Sequence, residues 1–409
     1  VVLESHHHPG GKIQTLTEQG FTCEWGVNGF LNKEPATLDL VQRLDLQDKL
    51  QPASTLFKNR FLYTGGKLRQ IPMHPLKFLF SGILPFWSHF RLLRELWVPR
   101  RPEDADGDES VAQFARRRVG DAAYRVLVDS MQTGIFAGDP EQMSVVSCFP
   151  RVVEVEREYG SLIKGMAALA RERRGQGEPL PGAGPAGHLT SFQGGMEQLI
   201  QKAADALGPR LLLQRGVDRI RRAGSGFTLE GAALDQALAA DAVVLACPAH
   251  ASAPMVREMD PGLADLMALI PYSPLAVVCL GYAREQVAHT MNGFGFLAPR
   301  DAGLRLLGAL WTSSIFPGRA PEGQVLIRCM IGGARDPEAL ALSDDELTSA
   351  IRAELQGSMG LTGDPSFCHI FRHELGIPQY TIGHPDRLAA MEARAADLGA
   401  LVLGGNSYR

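Results

Sequence analysis

The sequence predicts an α/β fold made of an α/β domain, a sheet-rich domain and a helical insertion. Three observations predict this class. Strand and helix patterns alternate near both ends of the chain, the span 275–333 is rich in apolar strand patterns, and a helical pattern extends from about 76 to 174. A chain of 409 residues is long enough for two or three such domains.

Composition argues against several classes of protein. Lysine and arginine number 41, aspartate and glutamate 45, and the formal net charge is −4, so we expect no nucleic-acid partner. Hydrophobic residues make up 45% of the chain, which argues against disorder. The six cysteines form no CxxC pair, so we expect no disulfide scaffold and no metal site, and we favour a reducing, cytoplasmic compartment.

The first 75 residues carry strand and helix patterns. Residues 1–50 predict strand, turn, strand and helix, and the helix covers Thr37 to Leu50. Its predicted apolar stripe consists of Leu38, Leu40, Val41, Leu44 and Leu50. Residues 60–72 predict a hairpin that turns at Gly65-Gly66.

The helical pattern of 76–174 has an unusual first segment, Leu76 to Val98. Its aromatic residues are Phe78, Phe80, Phe86, Trp87, Phe90 and Trp97. The basic residues beside them are Lys77, Arg91, Arg94, Arg100 and Arg101. No apolar run reaches the ~20 residues that a spanning helix needs. The segment is either a surface that lies in a membrane interface or a core helix pair with a solvated basic edge.

The rest of the chain is divided by clear turn signals. An acidic loop at 103–109 precedes Ser110, which is placed to cap a helix, and the Gly/Pro-rich stretch 175–188 predicts a linker. The predicted elements that follow are a turn at Gly194-Gly195, a helix from Met196 to Leu207, strands at 211–213, 227–229, 243–246, 275–282, 304–311 and 325–331, a helix at 344–356 and a last strand at 401–403.

Two apparent motifs carry no function in this interpretation. Gly182 to Gly187 spells GxGxxG, but prolines surround it and no strand precedes it, as a dinucleotide fingerprint requires. The run His6-His7-His8 is expected to be a solvated loop, because three consecutive histidines cannot all face one ion.

Glu4 is more informative than either motif. It follows an apolar triplet that is typical of a buried strand. In a dinucleotide-binding unit, an acidic residue ends the second strand and binds the ribose hydroxyls. The glycine loop would then precede Val1, and the chain ends in a strand followed by Gly404-Gly405. We therefore expect a fragment of a longer protein at both ends.

Several blocks, in order along the whole chain, resemble the FAD-dependent amine-oxidase superfamily and, within it, the protoporphyrinogen oxidase family. At the start these are Val2-Leu3-Glu4-Ser5, Gly10-Gly11-Lys12-Ile13 and Glu24 to Phe30. The later ones are Lys58 to Tyr63, Thr133 to Pro140, Gly293 to Leu297, Met330 to Arg335 and Gly376 to His384.

The resemblance implies three parts. An incomplete Rossmann-like, FAD/NAD(P)-binding domain would comprise 1–50, 190–255 and 370–409. A mixed-sheet substrate domain would comprise 51–75 and 256–369, and a helical membrane-binding insertion would comprise 76–189. The family's N-terminal GxGxxG unit and its C-terminal block are absent, so we expect the chain as printed to bind FAD weakly.

The activity that the resemblance implies is the oxidation of protoporphyrinogen IX to protoporphyrin IX in haem biosynthesis. Six electrons would leave in three flavin cycles, with dioxygen as the acceptor and hydrogen peroxide as its product. No catalytic acid or base is assigned. The implied partners are the porphyrinogen, dioxygen and a membrane surface, with peripheral association from the cytoplasm, and a homodimer stays open.

The resemblance also assigns site residues. Those of the FAD site are Glu4, Ser5, Lys12, Gly26, Val27, Asn28, Gly29, Val217 and His373. Arg60 would pair with a substrate propionate, since a guanidinium suits a carboxylate. Phe294 and Leu297 would pack on one face of the macrocycle and Met330 on the other, while Gly134 would let the main chain approach the reacting carbon.

Three alternatives stay open. A coproporphyrinogen III oxidase of the same fold should show more cations than Arg60 around the slot. An amine oxidase or desaturase of the superfamily is the second alternative; a flavin-reactive lysine and an aromatic cage would favour the amine oxidase, and the sequence shows neither clearly. The fragment itself is alternatively an inactive, flavin-free protein of a membrane surface.

Overall fold

The computed structural model describes residues 1–72, 74–102, 107–175 and 187–408. Part of the predicted acidic loop and most of the predicted linker, with its GxGxxG, lie outside these residues.

Most strands are short, and three in the second half of the chain have nine or more residues. They are β1 (Val2–Leu3), β2 (Thr15–Glu18), β3 (Phe21–Glu24), β4 (Phe30–Leu31), β5 (Leu50–Pro52), β6 (Arg60–Thr64), β7 (Lys67–Gln70), β8 (Leu189–Phe192), β9 (Leu211–Leu212), β10 (Arg219–Ala223), β11 (Gly226–Glu230), β12 (Leu238–Ala240), β13 (Val243–Leu245), β14 (Tyr272–Ala283), β15 (Gly295–Leu297), β16 (Leu306–Leu310), β17 (Gln324–Gly332), β18 (Phe367–Pro378) and β19 (Leu401–Leu403).

The helices concentrate between residues 75 and 175 and near the C-terminus. They are α1 (Pro35–Arg43), α2 (Pro75–Leu79), α3 (Phe86–Leu93), α4 (Val111–Arg118), α5 (Asp121–Ala123), α6 (Asp129–Phe136), α7 (Val145–Cys148), α8 (Pro150–Tyr159), α9 (Leu162–Gly175), α10 (Glu197–Leu207), α11 (Ala249–Val256), α12 (Pro261–Ala268), α13 (Thr312–Ile315), α14 (Asp344–Met359) and α15 (His384–Asp397).

A seven-stranded mixed sheet is the centre of the fold. Its strand order is β18-β14-β17-β16-β15-β6-β7, and the β15–β6 pair is parallel while the other pairs are antiparallel. Helix α14 packs Leu347, Ile351 and Leu355 against one face in a large apolar core. The hairpin β2–β3 covers part of the other face, where Phe21 and Cys23 join a second core. The predicted hairpin of 60–72 is confirmed as β6 and β7.

Short sheets flank this centre and contain the first strand of the chain. Strand β1 pairs in parallel with β9, and β13 pairs in parallel with β19. Helices α11, α12 and α15 pack with β13 around a third core. The predicted strands at 211, 227, 243 and 401 are thereby confirmed.

The predicted helical insertion is helical in the described residues, and a buried ion pair lies inside it. Glu95 and Arg118 are 1% and 0% exposed and form a salt bridge. The Glu95 carboxylate also accepts from the Ser161 hydroxyl at 2.5 Å and from the main-chain N–H of Leu162 at 2.7 Å at the start of α9. Ser110 caps α4 as predicted, since its hydroxyl accepts from the N–H of Gln113 at 3.0 Å.

The predicted helix from Thr37 to Leu50 is wrong in its second half. Helix α1 ends at Arg43, because Asp45 takes a left-handed conformation with φ 53° and the chain then enters β5. Of the predicted apolar stripe only Val41 is buried within the helix.

Candidate active site

The strand register of the central sheet places several predicted site residues on one face, opposite α14. One row across this face consists of Leu62, Leu297, Gly308, Met330, Val277 and Phe371. The next row consists of Arg60, Gly295, Leu310, Arg328, Cys279 and His369. His373 pairs with Leu275 and lies on the same face, next to the pair of Val277 and Phe371 in the first row. We call this surface the site face.

Two side chains in the middle of the site face stay partly exposed. Met330 is the only residue inside β17 that is not buried, and Leu297 is likewise half-buried at the end of β15. They lie two strands apart, about 10 Å, with Gly308 between them. The layers that cover the sheet therefore leave an apolar surface open at this point.

Gly134 lies directly against Leu297. A Cβ built on Gly134 would approach the Cδ2 atom of Leu297 to 2.6 Å, so any larger residue would displace that side chain. The glycine sits in α6, at the edge of the helical insertion. The structure thus brings Gly134 and Leu297 together, and Leu297 also packs with Leu62 and Ile83.

Arg60 and Phe294 meet at the edge of the site face. The guanidinium carbon of Arg60 is 5.5 Å from the centre of the Phe294 ring. Gly295 has φ 137°, which interrupts strand alternation and turns Phe294 toward Leu310 instead of the core behind the sheet. Burial lowers the pKa of Arg60, although a guanidinium stays protonated. No described residue forms a hydrogen bond or ion pair with this guanidinium, so its charge is free for a ligand.

Glu4 and Ser5 contact the loop that leads to Val217, at the carboxyl ends of the parallel strands β1 and β9, while Val217 itself packs against the third core. Glu4 follows β1, and its main chain donates to Leu212 at 2.9 Å and accepts from Arg215 at 2.8 Å. A Cβ built on Gly216 would lie 3.4 Å from that of Ser5. The carboxylate of Glu4 accepts from the N–H of His6 at 2.8 Å, which orients it within the loop.

The segment Gly26 to Gly29 lies between the small sheets and the site face. Gly29 is against the Thr190 carbonyl, and Val27 is exposed. Both amide atoms of Asn28 are buried and have no hydrogen-bond partner among the described residues. Since a buried amide without partners costs free energy, this side chain is suited to hydrogen bonding with a bound group.

Lys12 and His373 lie beside this segment. The Lys12 ammonium donates to the carbonyls of Leu375 and Gly376, and burial lowers its pKa. His373 is 3.1 Å from the Trp25 carbonyl through Nε2. Burial lowers the pKa of His373, and the hydrogen bond to Trp25 opposes this only in part, so the imidazole is neutral near pH 7.

Arg328 is the site-face residue that the sequence analysis missed. It is buried in β17, and its Nη2 donates to the Gly26 carbonyl at 2.8 Å, so it joins the central sheet to the segment 26–29. The sequence does carry a signal, because Arg328 is the single charge within the otherwise apolar run Val325 to Ile331. A charge in the middle of a buried strand indicates a partner of opposite charge or a functional site.

The sequence profile of the flavin containing amine oxidoreductase family matches residues 1–409. A coproporphyrinogen III oxidase of Bacillus subtilis (strain 168) is 29% identical over 418 residues, which cover 100% of this chain and 87% of the relative. The chloroplastic protoporphyrinogen oxidase 1 of Spinacia oleracea is 31% identical over 431 residues, covering 99% of this chain and 75% of that protein.

Solved structures show the same fold. A crystal structure from Exiguobacterium sp. 255-15, described as a candidate protoporphyrinogen oxidase, superposes with a TM-score of 0.81 at 24% identity and covers 99% of this chain and 87% of that one. Cyclohexylamine oxidase from Brevibacterium oxydans IH-35A has a TM-score of 0.67 at 19% identity, covering 99% and 87%.

Proposed function

Because this chain belongs to the flavin-containing amine oxidoreductase family, we propose that it is an FAD-dependent oxidase that converts protoporphyrinogen IX to protoporphyrin IX in haem biosynthesis. The observation that carries the proposal is the site face. An unpaired guanidinium, Arg60, stands at the edge of an apolar surface that contains Leu297 and Met330. This combination suits a large apolar macrocycle with carboxylates at its rim.

FAD supplies the hydride acceptor, and the residues around it would hold it in place. Glu4 would accept from the ribose hydroxyls, while Ser5 and Val217 line the same loop. The buried, unpartnered amide of Asn28 fits a cofactor with hydrogen-bonding edges, and Gly26, Val27 and Gly29 would form the wall beside it. Lys12 and His373 would close this wall from the side of β18.

The substrate residues would act by orientation and water exclusion. Arg60 would bind one propionate through paired N–H···O bonds. Phe294, Leu297 and Met330 would pack on the macrocycle. Gly134 would keep the Leu297 side chain in its place, because that side chain occupies the space that a Cβ at position 134 would need. Six electrons would leave the substrate in three flavin cycles. Dioxygen would accept them and give hydrogen peroxide.

Coproporphyrinogen III is the second candidate substrate, since the Bacillus relative carries that name and matches the whole chain. This substrate has four carboxylates and needs more free cations. Two other arginines on the strands of the site face, Arg69 and Arg328, donate to the carbonyls of Ser81 and Gly26. Arg60 has no such contact in the described residues, which favours the substrate with two propionates.

The test is to load the purified protein with FAD and supply each porphyrinogen separately in air, with products identified by mass. We expect faster formation of protoporphyrin IX, with hydrogen peroxide released in parallel. Formation of coproporphyrin alone would select the second candidate, and no porphyrin from either substrate would contradict the proposal.

We also infer peripheral membrane association from the exposed aromatic surface, defined as Leu76, Phe80, Phe86, Trp87, Phe90, Leu93 and Trp97. Trp87 and Trp97 are 78% and 76% exposed, which is unusual for tryptophan on a solvated surface. Lys77 and Arg94 are exposed beside them. Arg91 is turned inward and donates to the last carbonyls of α4, so the predicted basic edge is smaller than expected. No helix in the described part of the chain is long and apolar enough to cross a bilayer.

Sedimentation with phosphatidylcholine/phosphatidylglycerol vesicles tests this inference. The double variant W87S/F90S should lose most vesicle binding, whereas L269S, which removes a leucine that is 59% exposed elsewhere, should bind as the wild type does. Equal binding of all three proteins would contradict it. Sedimentation without vesicles tests the alternative that a second copy of the chain covers this surface as a homodimer.

A further inference from the structure

Three arginines are buried in the described part of the chain, and one of them differs from the other two. Arg118 is paired with Glu95, and Arg319 is paired with Glu24 at 3.0 Å. Arg328, which is 5% exposed, forms no ion pair with a described residue. Two of the three buried guanidinium charges are thus neutralised within the fold, and the third is not.

The contacts of Arg328 place it at the boundary between the proposed cofactor and substrate residues. Nη2 donates to the carbonyl of Gly26, and Nη1 is 4.0 Å from the sulfur of Met330. The carboxylate of Glu24, on the neighbouring strand β3, is already bound by Arg319, Thr15 and the N–H of Met196. The charge of Glu24 also acts on Arg328, but this carboxylate is held by Arg319, and no described acidic side chain forms an ion pair with Arg328.

An uncompensated buried cation is costly, because desolvation is not repaid by a Coulombic partner. A fold keeps such a group where a ligand brings the missing negative charge. Arg60 is better placed for a substrate carboxylate, since it is partly exposed at the start of β6. Arg328 is buried and fixed to the segment 26–29, so its partner belongs on the cofactor side.

We propose that Arg328 places a positive charge beside the bound flavin and neutralises the negative charge that the flavin gains on reduction. The inference rests on the cofactor placement proposed above. A hydride brings two electrons and one proton, so a neutral oxidised flavin leaves the transfer with one net negative charge. A nearby buried cation stabilises that form and favours reduction by the substrate.

The experiment measures the two-electron reduction potential of the FAD-loaded protein without substrate, in the wild type, R328M and R328K. R328M should lower the equilibrium constant for reduction at least tenfold, which is about 30 mV for a two-electron couple. R328K should recover part of the loss because it keeps the charge. R335M is the matched control, since Arg335 also donates to main-chain carbonyls, those of Ala298 and Leu304, and should leave the potential unchanged.

The outcomes separate this inference from the proposed function. A wild type that takes up no FAD at saturating concentration overturns both. If the wild type and R328M hold FAD at the same potential, this inference alone is overturned. The same holds if R328M keeps the potential but raises KM for the porphyrinogen, because Arg328 would then serve a substrate carboxylate. If R328M does not fold, R328Q and R328K are compared instead. A lower potential in R328Q, which removes the charge, than in R328K, which keeps it, supports the inference, and equal potentials in these two variants overturn it.

Discussion

The helical insertion pairs its buried arginine with a carboxylate, whereas the arginines Arg60 and Arg328 of the site face have no ion pair in the described residues. Inside the insertion, Arg118 is bound by Glu95, by the carbonyl of Val98 at 2.9 Å and by that of Gly160 at 3.1 Å. On the site face, Arg60 has a ring contact with Phe294 but no hydrogen bond or ion pair, and Arg328 has only carbonyl and sulfur contacts among the described residues.

The two regions also differ in the exposure of their apolar side chains, which is greater in the insertion. The insertion exposes Trp87, Trp97 and Phe80, whereas the site face keeps Leu297 and Met330 half-buried. The insertion thus pairs its buried charge and exposes apolar side chains on its surface. The site face leaves its charges without ion pairs and keeps its apolar side chains in a partly open surface. The following predictions test this difference, from the largest expected effect to the smallest.

Removal of Glu95 should have the largest effect on stability. E95A would remove the nearer carboxylate of Arg118, leaving Glu156 at 3.4 Å as its remaining acidic partner in the described residues, and would free the N–H groups at the start of α9, so we expect a loss of about 3–5 kcal/mol in the free energy of unfolding. Chemical denaturation measures it. E154A breaks the exposed pair with Arg151 and should change stability by less than about 1 kcal/mol. Equal losses of stability in E95A and E154A would contradict the prediction that the buried ion pair stabilises the fold more than the exposed one.

The buried arginines should respond differently to the same substitution. R319M removes the ion-pair partner of the buried Glu24 and leaves it hydrogen bonds from Thr15 and Met196 and the more distant charge of Arg328, so a loss of about 3 kcal/mol is expected. R328M breaks no ion pair and removes only the hydrogen bond to the Gly26 carbonyl, so we expect a loss of about 1 kcal/mol in the free energy of unfolding. Denaturation of the FAD-free proteins makes the comparison, and a larger loss in R328M would show that this arginine is structural.

Arg60 should matter for activity and not for stability. R60M is expected to lower kcat/KM for protoporphyrinogen by about 10–100-fold, because a charge-assisted hydrogen bond contributes about 1.5–3 kcal/mol. R60K should lie between R60M and the wild type, since ammonium lacks the bidentate fork. Steady-state kinetics and the unfolding midpoint are measured together. A destabilised R60M with normal kinetics would place Arg60 in the fold instead of the site.

The smallest effect concerns acid stability of the insertion. Burial alone would raise the pKa of Glu156, but hydrogen bonds from Arg117, at 2.6 Å, and the charge of Arg118 lower it below the ordinary value of 4.5. The carboxylate therefore stabilises the fold above about pH 4.5, and this contribution is lost as the pH falls through the lower folded pKa. E156Q should be less stable than the wild type at pH 7, with the difference shrinking in acid. A constant difference would contradict this linkage.

The sequence predicted the parts of the fold that have long apolar runs or a clear local signal. Strands β14, β16 and β17 are almost entirely apolar, with Arg328 as the single charge in β17, and the cap at Ser110 follows from local chemistry alone. Strand β18 was missed because polar residues such as His369, Arg372 and His373 interrupt it at the edge of the sheet. Helices α11, α12 and α15 were not predicted either. Each begins at or next to a proline, and α11 and α12 also carry little amphipathic contrast.

The site was only partly accessible from sequence. The family blocks pointed to Arg60, Leu297 and Met330, but their common face depends on the register of four strands, which no local pattern specifies. The contact of Gly134 with Leu297 joins residues 163 apart in the chain, and the bond from Arg328 to Gly26 joins residues 302 apart. The roles of these residues toward FAD and substrate stay predictions.

Anaerobic mixing of the FAD-loaded protein with protoporphyrinogen IX tests the central claim most directly. In the absence of dioxygen the visible band of the bound flavin should bleach, more slowly in R60M than in the wild type, and should return when dioxygen is admitted. A flavin that stays oxidised in the presence of excess porphyrinogen would contradict the account.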